Sequence, residues 1–222
     1  VGTTQDETVA DVHRRVAGGR LGKAMPLAPM MHASGTCMAL GAMFRGSAIV
    51  IQDTVDHFDA EEIVSIFDRE RITQATLIGD AFALPLLAEM DRGDYDLSAM
   101  SMINSGGAVL SPRNKERLQE HMPEMLLVDA VGSSEAGRQA MNFSKGGKTK
   151  SSVDFSMDEN ARVISADRSR ILHAGDEEAG WVAQREPVAM GYLNDREKTA
   201  TSFPTIDGER YAVPGDRARM ND

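Results

Sequence analysis

From about Ser47 to Ala130 the apolar residues fall into short unbroken runs, separated by stretches with helical spacing. "SAIVIQ", residues 47–52, is continuous and β-branched, which predicts a strand buried on both faces. In "DAEEIVSIFDRERI", Asp59 with Glu62 three residues on is a capping pattern, and Ile63, Ile66, Phe67 and Ile72 make one helical stripe. "QATLIG" predicts a second buried strand, and "DAFALPLLAEMDRG" a helix closed by Gly93. "MSMIN" predicts a strand leading into "SGGAVL". "SPRNKERLQEHM" begins with Ser111 at the cap and Pro112 in the first helical position, and "EMLLVDA" is the next strand. Strand–helix alternation of this kind predicts a parallel sheet covered by helices on both faces.

The flanks differ. Residues 1–24 read as a polar lead-in with a short helical patch. "MPLAPMMHASGTCMALGAMFRG" is apolar and rich in methionine and small residues, and predicts a buried helix entered through a proline-marked turn. After Gly137, "RVISADRSRILHAGDEEAGWVAQREP" has short strands between turn residues, the pattern of an antiparallel unit. The expected organisation is a lead-in (1–24), an α/β subdomain (25–140), a loop or linker around "SKGGKTKSS" (141–152) and a smaller β-rich subdomain (153–222).

Composition narrows the function classes. A chain of 222 residues is long enough to bury a sizeable core, and 41% hydrophobic with 26% charged residues is ordinary for a soluble domain. A net charge of −10 argues against a nucleic-acid partner. Cys37 is the sole cysteine, which excludes an internal disulfide, and no Cys/His cluster suggests structural zinc. No apolar stretch reaches the length of a membrane span, and the N-terminal residues lack a signal-peptide core, so the expected setting is cytoplasmic.

Four places hold candidate chemistry. In "NSGGAVL", Gly106 and Gly107 let the backbone lie against a flat or charged ligand, although paired glycines here also make a plain tight turn. In "VDAVGSSEAG", Ser133 and Ser134 offer hydroxyls to phosphate oxygens, and Glu135 offers a hard oxygen ligand to Mg²⁺; the alternative is a surface turn. Asp216, after Gly215 in "YAVPGD", has a carboxylate suited to ribose hydroxyls, or to capping a turn. His32 in "APMMHASG" reads as a ligand-facing group or as a core histidine.

"PMMH", "SGGAVLS", "VGSSEAG", "REPVAMGYLNDREKTATSF" and "YAVPGD" occur in that order. Their order and intervals resemble the adenylate-forming (AMP-binding) superfamily of acyl-CoA synthetases, luciferases and peptide-synthetase adenylation domains. The resemblance is greatest to actinobacterial fatty-acid and sterol-side-chain CoA ligases, and it runs from Met25 to Asp222. It implies that Gly106, Gly107 and Ala108 form one edge of an adenine pocket, and Asp129, Ala130 and Val131 the other. It implies that Ser134 binds ATP phosphates, Glu135 binds Mg²⁺, Asp216 grips the ribose, and His32 lies in the segment gating an acyl pocket. The methionines between Met25 and Met43 suit a flexible wall for such a group, or plain core packing.

The sequence also departs from the family pattern. Val131 stands where an aromatic residue commonly stacks on adenine, and Pro214 replaces the usual threonine of the ribose motif. The family's Ser/Thr/Gly-rich phosphate loop ending in lysine has no match in residues 1–24, and its C-terminal lid would begin after Asp222. The chain is therefore expected to be part of a larger N-terminal domain, inactive in isolation. The parent is expected to convert a fatty or sterol-derived carboxylic acid with ATP and Mg²⁺ to acyl-AMP, then to pass the acyl group to coenzyme A. The rivals are an acyl-AMP ligase loading a carrier protein, a non-catalytic binding module, and a dinucleotide-binding oxidoreductase. The last is disfavoured because no G-x-G-x-x-G follows an early strand. Self-association stays open.

Overall fold

A computed structural model describes residues 8–18, 21–146 and 154–221. The chain divides into two compact units, one of residues 1–129 and 142–154, the other of 130–141 and 155–222.

The first unit opens with α1 (Val9–Gly18), the helical patch expected in the lead-in. Its next element was not foreseen: Lys23–Pro26 forms strand β1. Helix α2 (Ala33–Phe44) begins seven residues after Pro26 rather than absorbing it. Then come β2 (Ala48–Ile49), α3 (Ala60–Arg69), β3 (Gln74–Leu77), α4 (Gly79–Met90), β4 (Met102–Gly106), α5 (Pro112–His121) and β5 (Leu126–Ser133). The strand order is β2-β1-β3-β4-β5, and the pairs from β2 to β4 are parallel, as expected. Helices cover both faces, because neighbouring residues of β1 point opposite ways. Ala24 packs with Met38 and Ala42 of α2, whereas Met25 joins Ile63, Phe67, Leu87 and Leu118 of α3, α4 and α5.

The "SAIVIQ" expectation is corrected. Only Ala48 and Ile49 pair, at the edge of the sheet, and Ile51 is 55% exposed. A β-branched run reports strand propensity but not depth, and here the interior position beside it went to the less conspicuous "KAMP".

Two helix starts show how local signals fared. Asp59 caps α3 as expected, accepting from the Glu62 N–H at 3.0 Å; Glu62 itself turns to the Asp53 and Thr54 N–H groups. Ser111 occupies the cap position of α5 but makes no side-chain cap bond. The anion there is Asp80, in the first turn of α4, which accepts from the Ser111 N–H (2.9 Å), the Ser111 hydroxyl (3.2 Å) and Asn114 Nδ2 (2.9 Å).

The second unit starts within β5 and continues through a hairpin into β6 (Gly137–Ser144), whose last three residues return to the first unit. Residues 147–152 of the expected linker lie outside the described residues. Beyond are β7 (Ser156–Met157), β8 (Ala161–Ile164), β9 (Ile171–Leu172), β10 (Gly180–Arg185), α6 (Arg196–Ser202), β11 (Thr205–Ile206), β12 (Glu209–Ala212) and β13 (Arg217–Ala218). The order β11-β12-β10-β8-β9 is antiparallel throughout, with β13 also on β10, which is the smaller β unit the turn-rich pattern predicts. Successive residues of β12 serve different clusters: Tyr211 joins Ile164 and Ile206, and Ala212 joins Phe203 and Ala136 of the hairpin. Among the described residues no helix is long and apolar enough to cross a membrane.

Candidate functional site

The hairpin between β5 and β6 carries the hydroxyls and the carboxylate of "VGSSEAG". Its tip is Ser134, Glu135 and Ala136. Both flanking glycines have a steric reason. Gly137 sits at φ +67°, the left-handed position that closes a three-residue hairpin loop. A Cβ on Gly132 would lie 2.5 Å from the Gly137 carbonyl oxygen, inside contact distance. The tip is therefore tightly wound, and the winding separates the two serines. The Ser133 hydroxyl accepts from the Ala136 N–H at 3.1 Å and so belongs to the turn, while Ser134 is exposed.

Glu135 is half-buried, and two bonds from the segment after β10 hold it. The Tyr192 hydroxyl donates to Oε1 at 2.7 Å, and the Ala189 N–H to its carbonyl at 3.3 Å. The Tyr192 bond, above all, holds the Glu135 carboxyl below the usual carboxylate range, against its partial burial; the Ser133 hydroxyl and the charge of Lys198 act the same way. The same bond raises the Tyr192 phenol above its ordinary value. Glu135 is thus an anion at neutral pH, and no Lys or Arg side chain lies within ion-pair distance among the described residues.

Ala130 and Val131 belong to the same hairpin, on β5, and both are partly buried. Asp216 follows Gly215 and anchors by its backbone: its carbonyl accepts from the Val182 N–H at 2.8 Å, and its side chain is exposed. That geometry leaves the carboxylate available to a ligand.

The remaining candidates belong to the first unit. Gly106 ends β4, Gly107 turns at φ +79°, and Ala108 is exposed. This loop is braced from behind, where the Asp80 N–H donates to the Val109 carbonyl at 2.9 Å. The three donors to Asp80 outweigh the upward push of burial and hold its carboxyl below the ordinary aspartate value. The side chain of Asp129 is not open to a ligand: it is 7% exposed and pairs at 2.8 Å with the fully buried Lys115 ammonium of α5. His32 stands exposed at the start of α2, not in the core. Of the methionines around it, Met25 and Met38 are core, and Met30, Met31 and Met43 are exposed, which narrows any acyl-facing wall to those three.

The reading of the sequence missed Tyr192, Lys198, Lys115 and Asp80. Tyr192 and Lys198 lie inside "GYLNDREKTATSF", so a signal existed as a motif with no role attached. Lys115 and Asp80 carry no local signal, since their partners are distant in sequence.

Comparison with known proteins adds to this geometry. The family profile described as "AMP-binding enzyme" matches residues 4–193. "Medium-chain acyl-CoA ligase Mig" of Mycobacterium avium is 41% identical over 212 residues, which cover 96% of this chain and 38% of that protein. The "Medium/long-chain-fatty-acid--CoA/3-oxocholest-4-en-26-oate--CoA ligase" of Mycobacterium tuberculosis is 31% identical over 198 residues, 89% of this chain and 36% of that protein. The chain spans little more than a third of the length of the curated relatives it matches. Among solved structures, the nonribosomal peptide synthetase FmoA3 superposes with a TM-score of 0.80 at 21% identity, covering 96% of this chain and 24% of that one. The N-terminal subdomain of Klebsiella oxytoca NpsA, bound to 3-hydroxybenzoyl-AMSN, gives 0.71 at 17% identity, covering 93% and 53%. At these identities the two structures speak for the fold alone.

Proposed function

The chain belongs to the AMP-binding enzymes, and from that premise we propose that it carries the metal carboxylate and part of the phosphate contacts of a fatty-acid–CoA ligase, one that activates a fatty or sterol-derived carboxylic acid with ATP. Two half-reactions follow. The acid's carboxylate attacks the α-phosphorus and pyrophosphate leaves, giving acyl-AMP; the thiol of coenzyme A then attacks the acyl carbon and AMP leaves. Positioning and charge stabilisation supply most of such catalysis. The observation that carries the reading is the hairpin tip: an ionised, half-exposed Glu135 beside the exposed hydroxyl of Ser134, both on a rigid turn.

The tip fits Mg²⁺. Magnesium prefers oxygen, keeps several waters and takes only one or two carboxylates beside substrate phosphates. Glu135 is a single anionic carboxylate uncommitted to any cation. Among the described residues no cluster of three or more His, Cys, Asp or Glu side chains could hold a metal unaided, so a metal here would share Glu135 with the phosphates. When bound, it would offset phosphate charge. In the second unit, Ser134 would donate to a phosphate oxygen, Asp216 would accept from ribose hydroxyls, and Val131 beside Ala130 would give adenine apolar contact in place of a stacked ring; in the first unit, the backbone of Gly106–Ala108 would suit an adenine edge. His32, with Met30, Met31 and Met43, would face the acyl group.

The test is Glu135→Gln in the full-length protein, an isosteric change that removes only the charge. Pyrophosphate exchange should fall by about 2–4 kcal/mol of transition-state stabilisation, roughly 30- to 1,000-fold, with the thermal midpoint nearly unchanged. Exchange at the wild-type rate would dismiss the metal role.

A further inference from the structure

The segment that reaches Glu135 is far better fastened than an exposed loop needs to be. Arg210 of β12 donates to the carbonyls of Ala189 (3.0 Å) and Met190 (2.7 Å). The Tyr192 N–H donates to Thr199 Oγ1 at 2.9 Å, which ties the residue to α6, and Asp195 caps that helix on the Lys198 N–H. The ring is fixed as well. Lys198 Nζ lies 4.1 Å from its centroid on one side, and Phe203 packs at 5.9 Å. Ala136, next to Glu135, packs in the same cluster. Meanwhile Met190 and Leu193, on either side of Tyr192, are 93% and 92% exposed, so apolar burial of the segment is not what holds it. What this bracing achieves is one aimed hydroxyl and one aimed N–H, from Tyr192 and Ala189, both on Glu135.

We propose that Tyr192 is a positioning residue for the Glu135 carboxylate: its hydroxyl fixes the carboxylate's rotamer and orientation, so that the metal–nucleotide meets a ligand already in place. The inference rests on Glu135 being the metal carboxylate. Its physical basis is that a free glutamate at a turn samples several rotamers, all but one of which must be given up when it coordinates. A hydrogen bond from a braced donor removes that freedom beforehand, and partners of metal ligands are typically worth 10- to 100-fold in metal affinity. Tyr192→Phe deletes one oxygen and keeps the ring against Lys198 and Phe203, so the cluster around Ala136 stays filled.

The experiment compares wild type, Tyr192→Phe and Glu135→Gln in the full-length protein. Two quantities are read: Mn²⁺ affinity in the presence of ATP, from the electron paramagnetic resonance signal of free Mn²⁺, and the Mg²⁺ concentration giving half-maximal pyrophosphate exchange. AMP affinity without metal reports whether the variants are folded. The expected result is about a 10-fold weaker Mn²⁺ affinity and a matching rise in half-saturating Mg²⁺ for Tyr192→Phe. Its exchange rate should recover to within about twofold of wild type at saturating Mg²⁺, as for a lost positioning contact rather than a lost ligand. Glu135→Gln should lose the metal response at any concentration. If Glu135→Gln does so while Tyr192→Phe keeps wild-type Mn²⁺ affinity, the positioning role is overturned and the metal role of Glu135 stands. If Tyr192→Phe lowers turnover at saturating metal without moving metal affinity, Tyr192 is merely structural and the proposal falls. If Glu135→Gln leaves the metal response intact, the reading beneath the proposal fails and the proposal with it.

Discussion

Replacing Asp129 by asparagine should cost more stability than any other single-charge change in the first unit. The carboxylate is 7% exposed and its partner Lys115 fully buried, with Nζ at 2.8 Å. That ammonium makes no well-aligned hydrogen bond among the described residues, so its ion pair with Asp129 is its one compensation. Asparagine keeps the shape and removes the charge, leaving a cation in the interior. Breaking a buried pair from one side costs about 3–5 kcal/mol, with no discount for solvent at this depth. Set against a typical total of about 5–15 kcal/mol, and a urea slope near 2 kcal/mol/M, the midpoint should fall by roughly 1.5–2.5 M at unchanged slope. Far-UV circular dichroism is the suitable probe, because α1 to α5 all belong to the first unit, whereas the sole tryptophan, Trp181, is in the second. Lys115→Met placed on top removes the stranded charge and leaves only an unsatisfied amide, a cost of about 1–3 kcal/mol. The double variant should therefore be more stable than Asp129→Asn alone. A single variant within about 1 kcal/mol of wild type, or a double variant no better than the single, would show that the ammonium is not dependent on Asp129.

Two further outcomes are expected. Asp80→Ala, which strips three donors of their acceptor at the start of α5, should cost about 2–3 kcal/mol at neutral pH. Because the folded Asp80 carboxyl is depressed, its contribution is present above the ordinary aspartate pKa and is lost as pH falls through the folded value, so the gap between variant and wild type in urea melts should shrink below about pH 4. In the hairpin, Gly137→Ala meets open space at φ +67° and should cost about 1 kcal/mol, while Gly132→Ala drives a Cβ into the Gly137 carbonyl and should cost clearly more; equal thermal midpoints for the two would contradict the tight winding of the tip.

What could be read from the sequence was what acts over a few residues or survives as an ordered set of motifs. Asp59 and Glu62 lie within one helical turn, so their capping role was legible, as was the parallel sheet, since strand–helix alternation admits few other solutions. Glu135 and Ser134 were singled out because hydroxyls and an acid in a small-residue turn are themselves a local pattern. What only the tertiary structure decided was depth and partnership. "SAIVIQ" pairs only through Ala48 and Ile49 at the sheet edge, and the unforeseen strand "KAMP" lies inside it, because an apolar run of that length does not report whether a second strand will lie beside it. Ser111 is the cap residue of α5 as its sequence context indicates, but the acceptor that holds it is Asp80, 31 residues away. Asp129 carries no local sign of its partner, and it is a lysine from α5 that claims its carboxylate. Tyr192 meets Glu135 across 57 residues, a distance at which chain proximity adds nothing and only the packing of two separate segments brings donor to acceptor.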